Sequence, residues 1–237
     1  LNNKILIQSD FDGTLTQEDT SFLILDKFAK GDWRKILEEY RSGKISVGQF
    51  NARAFAMVRA SKDDLTFLIK EKARLREDSK ELIDYLKGRG FRFVIVSNGL
   101  EFYIRTMLEA AGINNVEVYA SGAIITPEGI ITNYAAPAGG DIDDGFKEAY
   151  TRYFKQKGYT VIYIGNGPSD AQAARLADFI FATDALLEYC QQEKLNFAPF
   201  ATLDDIITRM RTLPLANIAD TVAPLTNRGF DLDSLTT

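Results

Sequence analysis

Histidine does not occur anywhere in the 237-residue chain. Its absence removes Ser/His and Cys/His nucleophile pairs, histidine-ligated zinc and a phosphohistidine intermediate. Acid-base work must then fall to carboxylates, lysine, tyrosine or water. Cysteine is scarce as well. Cys190 alone can close no intrachain disulfide, and its helical-looking setting, ALLEYCQQEKL, reads as that of a buried small hydrophobe. No apolar run approaches the ~18 residues of a membrane span, and the N-terminal residues run directly into a strand pattern, so the chain reads as soluble and cytoplasmic. A surplus of positive charge is also missing. With 28 basic and 33 acidic side chains the net charge is −5, which leaves no footprint for nucleic acid or an anionic membrane and makes a small molecule the expected partner.

Hydrophobic residues make up 46% of the chain, enough for one main domain and a sizeable insertion. Short, nearly continuous apolar runs recur at 4–9, 91–97, 116–121, 160–165 and 178–183, as strands covered on both faces would. Helix-like stretches lie between them and close at Gly88 and Gly90, at Gly112 and at Gly158. The expected fold class is therefore α/β, a doubly wound parallel sheet with ligands at the carboxyl ends of its strands. The interval from Gln17 to Arg76 breaks the rhythm with four helical patterns near 19–30, 33–42, 46–60 and 62–75, Ser61 being a candidate N-cap. This predicts an all-helical cap over residues 17–76, a core made of 1–16 and 77–213, and a tail at 214–237 that reads equally as an ordered wrap or a loose end. SGAIITPEGIITN predicts a hairpin turning at Pro127 to Gly129, and KEKARLRED at 70–78 a solvated helix face.

Chemistry-bearing residues gather at the strand ends. ILIQSDFDGTLT closes the first strand with Asp10 and Asp12, which share a side of the chain if the backbone stays extended. Two close carboxylates repel unless a cation or a shared proton separates them, although an Asp-Gly turn would also account for the residues. The second strand delivers Ser97 with the amides of Asn98 and Gly99, a place for an anion or a plain helix cap. Lys147 opens a helix, where a lysine opposes the macrodipole. GNGPSD sets Asn166 and Asp170 on a later turn. So many hard oxygens beside a lysine suit Mg²⁺ and a phosphoryl group.

DFDGTLT, SNG, Lys147 and GNGPSD, in that order, resemble the four motifs of the haloacid dehalogenase superfamily. The likeness extends over roughly residues 4–205 and lies in the phosphatase branch with a helical cap after the first motif. The resemblance implies a Rossmann-like core, Mg²⁺ as cofactor and hydrolysis of a small phosphorylated metabolite through an aspartyl phosphate. By position, it makes Asp10 the nucleophile and Asp12 the acid and then the base. Ser97, Asn98, Gly99 and Lys147 would hold the phosphoryl group, while Asp10, the carbonyl of Asp12, Asn166 and Asp170 would hold the metal. Asn166 departs from the pattern, which has aspartate there. Within that branch the spacing resembles phosphoserine phosphatases, with Asp19 and Arg53 at positions that would grip an amino acid, and, through DFIFATDALLEYCQQEKLNFAPF, the methionine-salvage phosphatases. The alternatives are the methionine-salvage phosphatases acting on 2-hydroxy-3-keto-5-methylthiopentenyl-1-phosphate and a phosphate-binding protein with impaired catalysis. Phe22, Phe50, Phe55 and Met57 could line a pocket for a thioether or simply fill the helical bundle.

Overall fold

The computed structural model describes residues 4–215 and Ile218. After β1 (Lys4–Ser9) come four helices with no strand among them, α1 (Thr20–Phe28), α2 (Trp33–Arg41), α3 (Val47–Phe55) and α4 (Lys62–Lys72). The chain then alternates: α5 (Ser79–Gly88), β2 (Arg92–Leu100), α6 (Glu101–Ala110), β3 (Glu117–Thr126), β4 (Gly129–Asn133), α7 (Phe146–Gln156), β5 (Tyr159–Gly165), α8 (Ala171–Leu176), β6 (Phe179–Ala182), α9 (Asp184–Gln192), β7 (Phe197–Pro199) and α10 (Leu203–Thr212). The sheet order is β4-β3-β2-β1-β5-β6-β7, parallel throughout except for the β3/β4 hairpin. The expected doubly wound sheet is therefore the one observed. Its strand order reverses direction around β1, and the carboxyl ends of β1 and β5 at that switch point are where sheets of this kind bind ligands.

The continuous apolar runs are explained by burial on both faces: Leu6, Ile7, Phe93 to Val96, Val161 to Ile164 and Phe179 to Ala182 are all buried. Ser61 caps α4 as expected, with Asp64 returning the bond, and Ser46 does the same for α3 with Gln49. Phe50 and Phe55 are buried, and Phe22 and Met57 pack on the same hydrophobic cluster, so these four fill the bundle core. Cys190 is buried among Tyr163, Ala173 and Leu186, with burial pushing its thiol up to about 11. Among the described residues no helix is long and apolar enough to cross a membrane.

Two expectations change. β7 is an additional strand, too short for periodicity to reveal. KEKARLRED is not one solvated face, because α4 stops at Lys72 and the chain turns extended at Ala73. The remainder forms a neck in which Gln17 N–H donates to the Arg74 carbonyl (3.0 Å) and Arg76 N–H to that of Leu15 (2.8 Å). The Arg76 guanidinium ties this neck to the carbonyls of Gly13 (2.9 Å) and Ala201 (3.0 Å). Most of the tail expectation lies outside the described residues.

Candidate active site

Asp10 follows the last residue of β1, its N–H still in the ladder with the Ile164 carbonyl at 2.9 Å. The chain then folds over, since the Phe11 carbonyl accepts from Thr14, Leu15 and Thr16 N–H. Gly13 takes φ +74°, and a side chain there would also strike the Asn166 amide. This turn sets Asp10 and Asp12 at the switch point. A buried polar ladder places Lys147: Thr151 donates to the Gln8 side-chain oxygen (2.9 Å), and the Gln8 amide donates to the Lys147 carbonyl (3.1 Å). The Lys147 ammonium lies 2.9 Å from Asp10 and 2.7 Å from Asp170, and also donates to Ser169 Oγ at 3.0 Å. All three charged side chains are nearly inaccessible to solvent.

The electrostatics follow from that burial. Desolvation pushes Asp10 up to about 7, helped by Asp170 and opposed by Lys147. Burial also opposes the charge on Lys147, yet Asp10 and Asp170 carry its pKa above the ordinary lysine value. Asp12 rises to about 7, first through burial and then through Asp19, against donors at both oxygens. Thr20 N–H reaches Oδ1 at 2.9 Å, and the Tyr103 hydroxyl donates to Oδ2. Asp19 is itself pushed up to about 6 by burial and caps α1 through Phe22 N–H (3.1 Å).

Ser97 is buried where the β2/β3 register shifts, and its hydroxyl accepts from Gly99 N–H at 3.1 Å. The Asn98 carbonyl faces α3, from which the Asn51 amide donates to it at 2.6 Å, and the Tyr134 hydroxyl donates as well. These bonds join α3 to the carboxyl end of β2. Contacts thus join Lys147 to Asp10 and Asp170, Asn166 to Thr14 in the turn after Asp12, and Gly99, two residues beyond Ser97, to the Asp12 carboxyl, all around the strand ends.

Two of the expected side chains have other partners in this structure. Asp170 is not poised as a metal ligand: Lys147 and the Tyr163 hydroxyl (2.6 Å) occupy Oδ1, while the amides of Asn166 (3.0 Å) and Gly167 (2.9 Å) occupy Oδ2. Its geometry anchors Lys147. Arg53 does not join Asp19 at the strand ends. It forms an exposed two-bond pair with Glu39 on α2, because the neighbouring helix presents a carboxylate within reach.

Among the described residues no cluster of three or more acidic, histidine or cysteine side chains forms a ready metal cage. The oxygens that remain are the Asp10 carboxylate, the Asp12 carbonyl and Asn166 Oδ1, which accepts from the Thr14 hydroxyl at 2.9 Å. All are hard donors of the kind Mg²⁺ takes together with waters and substrate oxygen, so the set fits that ion with one charge fewer than an all-aspartate set. Tyr103, Asn51 and Tyr134 were not anticipated as site residues. The readable signal for Tyr103 was its place in the first turn of the helix leaving β2, just beyond Gly99.

Known proteins resemble this chain in sequence and in fold. A family model described as haloacid dehalogenase-like hydrolase matches residues 7–175. The 2-hydroxy-3-keto-5-methylthiopentenyl-1-phosphate phosphatase of Geobacillus thermodenitrificans is 28% identical over 218 residues, 90% of this chain and 98% of that protein. The bifunctional enzyme MtnB/MtnX of Bacillus licheniformis is 30% identical over 86% of this chain and 48% of its own length. A solved phosphoserine phosphatase carrying a phospho-aspartyl intermediate analogue superposes with a TM-score of 0.67 at 19% identity, covering 90% of this chain and all of that one. The model match spans most of the sequence, and the chain belongs to the haloacid dehalogenase-like hydrolase family.

Proposed function

We propose that this chain hydrolyses a small phosphomonoester in the cytoplasm, with Mg²⁺ as cofactor and Asp10 as the covalent nucleophile. The observation that carries the reading is the buried Lys147 ammonium clamped between Asp10 and Asp170, with the Asp12 carboxyl held by two donors. In the first half-reaction an Asp10 oxygen bonds to phosphorus as the ester P–O bond breaks. The electron pair goes to the departing oxygen, which takes the proton of Asp12. Water then attacks phosphorus and gives its proton to Asp12, and the bond to Asp10 breaks to release phosphate. A carboxyl pushed up to about 7 suits both roles. Lys147 offsets charge on Asp10 and the phosphoryl oxygens, and Ser97 with the amides of Asn98 and Gly99 would bind those oxygens. Mg²⁺, held by Asp10, the Asp12 carbonyl and Asn166, would supply further charge neutralisation.

Within that class, the engagement of Arg53 with Glu39 favours an uncharged leaving group over an amino acid. The curated relatives named above point the same way, toward the methylthiopentenyl phosphate. The test is phosphate release from an aryl phosphate, phosphoserine and an enol phosphate, with Mg²⁺ or EDTA and with Asp10→Asn as control. Mg²⁺-dependent turnover lost in the control supports the reading. Tight binding of inorganic phosphate without turnover would instead identify a phosphate-binding protein whose metal site is weakened at Asn166.

A further inference from the structure

We propose that Tyr103, backed by Ser21, is a positioning residue that fixes the Asp12 carboxyl for proton transfer to the leaving oxygen. The inference rests on the phosphatase reading given above. Tyr103 is completely buried, and its hydroxyl touches two groups, Asp12 Oδ2 and Ser21 Oγ at 2.9 Å. A phenol has one proton to give. The phenol gives that proton to Asp12 Oδ2, which leaves its oxygen only lone pairs to offer Ser21. The Ser21 proton must then point at the phenol oxygen. The result is a directional chain from Ser21 on α1, through Tyr103 on α6, to Asp12. With Thr20 N–H at Oδ1, both carboxyl oxygens are pinned and the group cannot rotate without breaking one of these bonds.

Gly99 shows that the local packing is built around this contact. A Cβ at Gly99 would lie 1.8 Å from the Tyr103 oxygen and 2.7 Å from Asp12 Oδ2. The phenol therefore occupies the space that any side chain at position 99 would need. A carboxyl that must give a proton to one oxygen and later take one from water gains from such fixation, because small displacements of a catalytic group are expensive in rate.

The test separates positioning from general packing by the leaving group. An alkoxide needs the Asp12 proton as it departs, whereas a nitrophenolate leaves as an anion. kcat/KM is read because it covers the steps through departure of the alcohol. Tyr103→Phe keeps the ring and removes the oxygen, and it should lower kcat/KM on an alkyl phosphate by about 10-fold or more while changing it less than about 2-fold on p-nitrophenyl phosphate. Ser21→Ala should show the same ordering with a smaller effect and serves where Tyr103→Phe folds poorly, with melting temperature measured for both. Equal losses on the two substrates would overturn the positioning role and leave the phosphatase reading intact. Wild-type protein inactive on both esters with Mg²⁺ would overturn that reading, and this inference with it.

Discussion

Replacing Lys147 with methionine deletes a charge from the least accessible part of the site while keeping most of the side-chain length. The ammonium is 2.9 Å from Asp10 and 2.7 Å from Asp170. At an effective dielectric of about 20, each contact is an attraction of about 6 kcal/mol. Much of that offsets the desolvation of three groups, so the expected net loss of stability is about 3–5 kcal/mol, the usual range when one partner leaves a buried pair. The loss should depend on pH. Asp10 already sits near 7 because burial and Asp170 outweigh Lys147, and without the lysine it moves higher. A carboxyl whose folded pKa lies above its unfolded value gives stability that is fully present below the unfolded value and is lost as pH rises through the folded one. The deficit of the variant should therefore be small near pH 5 and largest above pH 8.

Urea unfolding in EDTA from pH 5 to 8.5 measures this directly for wild type, Lys147→Met and the double variant with Asp170→Asn. In the double variant an amide oxygen can keep the Asn166 and Gly167 amides while its nitrogen turns to the Tyr163 oxygen. Removing the second carboxylate should recover part of the stability at pH 8 and none of the phosphate release. A deficit equal at every pH, or a double variant no better than the single one, would refute the charge argument and reduce Lys147 to a packing residue.

Three further outcomes are expected. Asn166→Asp should tighten Mg²⁺ about 10-fold or more by calorimetry and lower the melting temperature in EDTA, since it adds a carboxylate beside buried acids; unchanged affinity would remove position 166 from the metal site. Gly99→Ala should lower both melting temperature and turnover, by about 1–3 kcal/mol in stability, because its Cβ falls 1.8 Å from the Tyr103 oxygen, and a neutral result would mean that the Tyr103 contact is not rigid. Arg53→Ala should leave melting temperature and phosphatase kinetics unchanged, as expected of an exposed pair with Glu39, and a large rise in KM for phosphoserine would return Arg53 to the substrate.

The strand ends were legible because parallel strands leave two signatures, continuous apolar runs and polar residues at one terminus. Asp10, Asp12, Ser97 and Lys147 each stood directly after such a run or at the next helix entry, and topology alone brings those points together. Asp170 was visible as a site residue but its task was not, since four donors from three different places on the chain decide it. The pairing of Arg53 was hidden for a related reason. Its rival partner, Glu39, lies on another helix, and the pairing depends on how α2 packs against α3. Tyr103 was hidden because an aromatic in a helix reads as core, and it is core in every respect except its oxygen.

Charge balance gives the substitution at Asn166 a physical sense. Burial pushes Asp10 and Asp12 up to about 7 and Asp19 up to about 6, and Lys147 is already committed to Asp10 and Asp170. A phosphate dianion entering this site would drive the carboxyls higher still unless a second cation came with it. Arg53 and Arg76 are engaged elsewhere, one with Glu39 and the other with the carbonyls of Gly13 and Ala201, and on the proposed function that cation is Mg²⁺ from solution. An aspartate at 166 would hold such an ion more strongly and would strain the protein without it. On the proposed function, asparagine would keep an oxygen for the metal while removing one charge from the crowd, easing the metal-free fold and making metal binding depend more on the substrate's own negative charge.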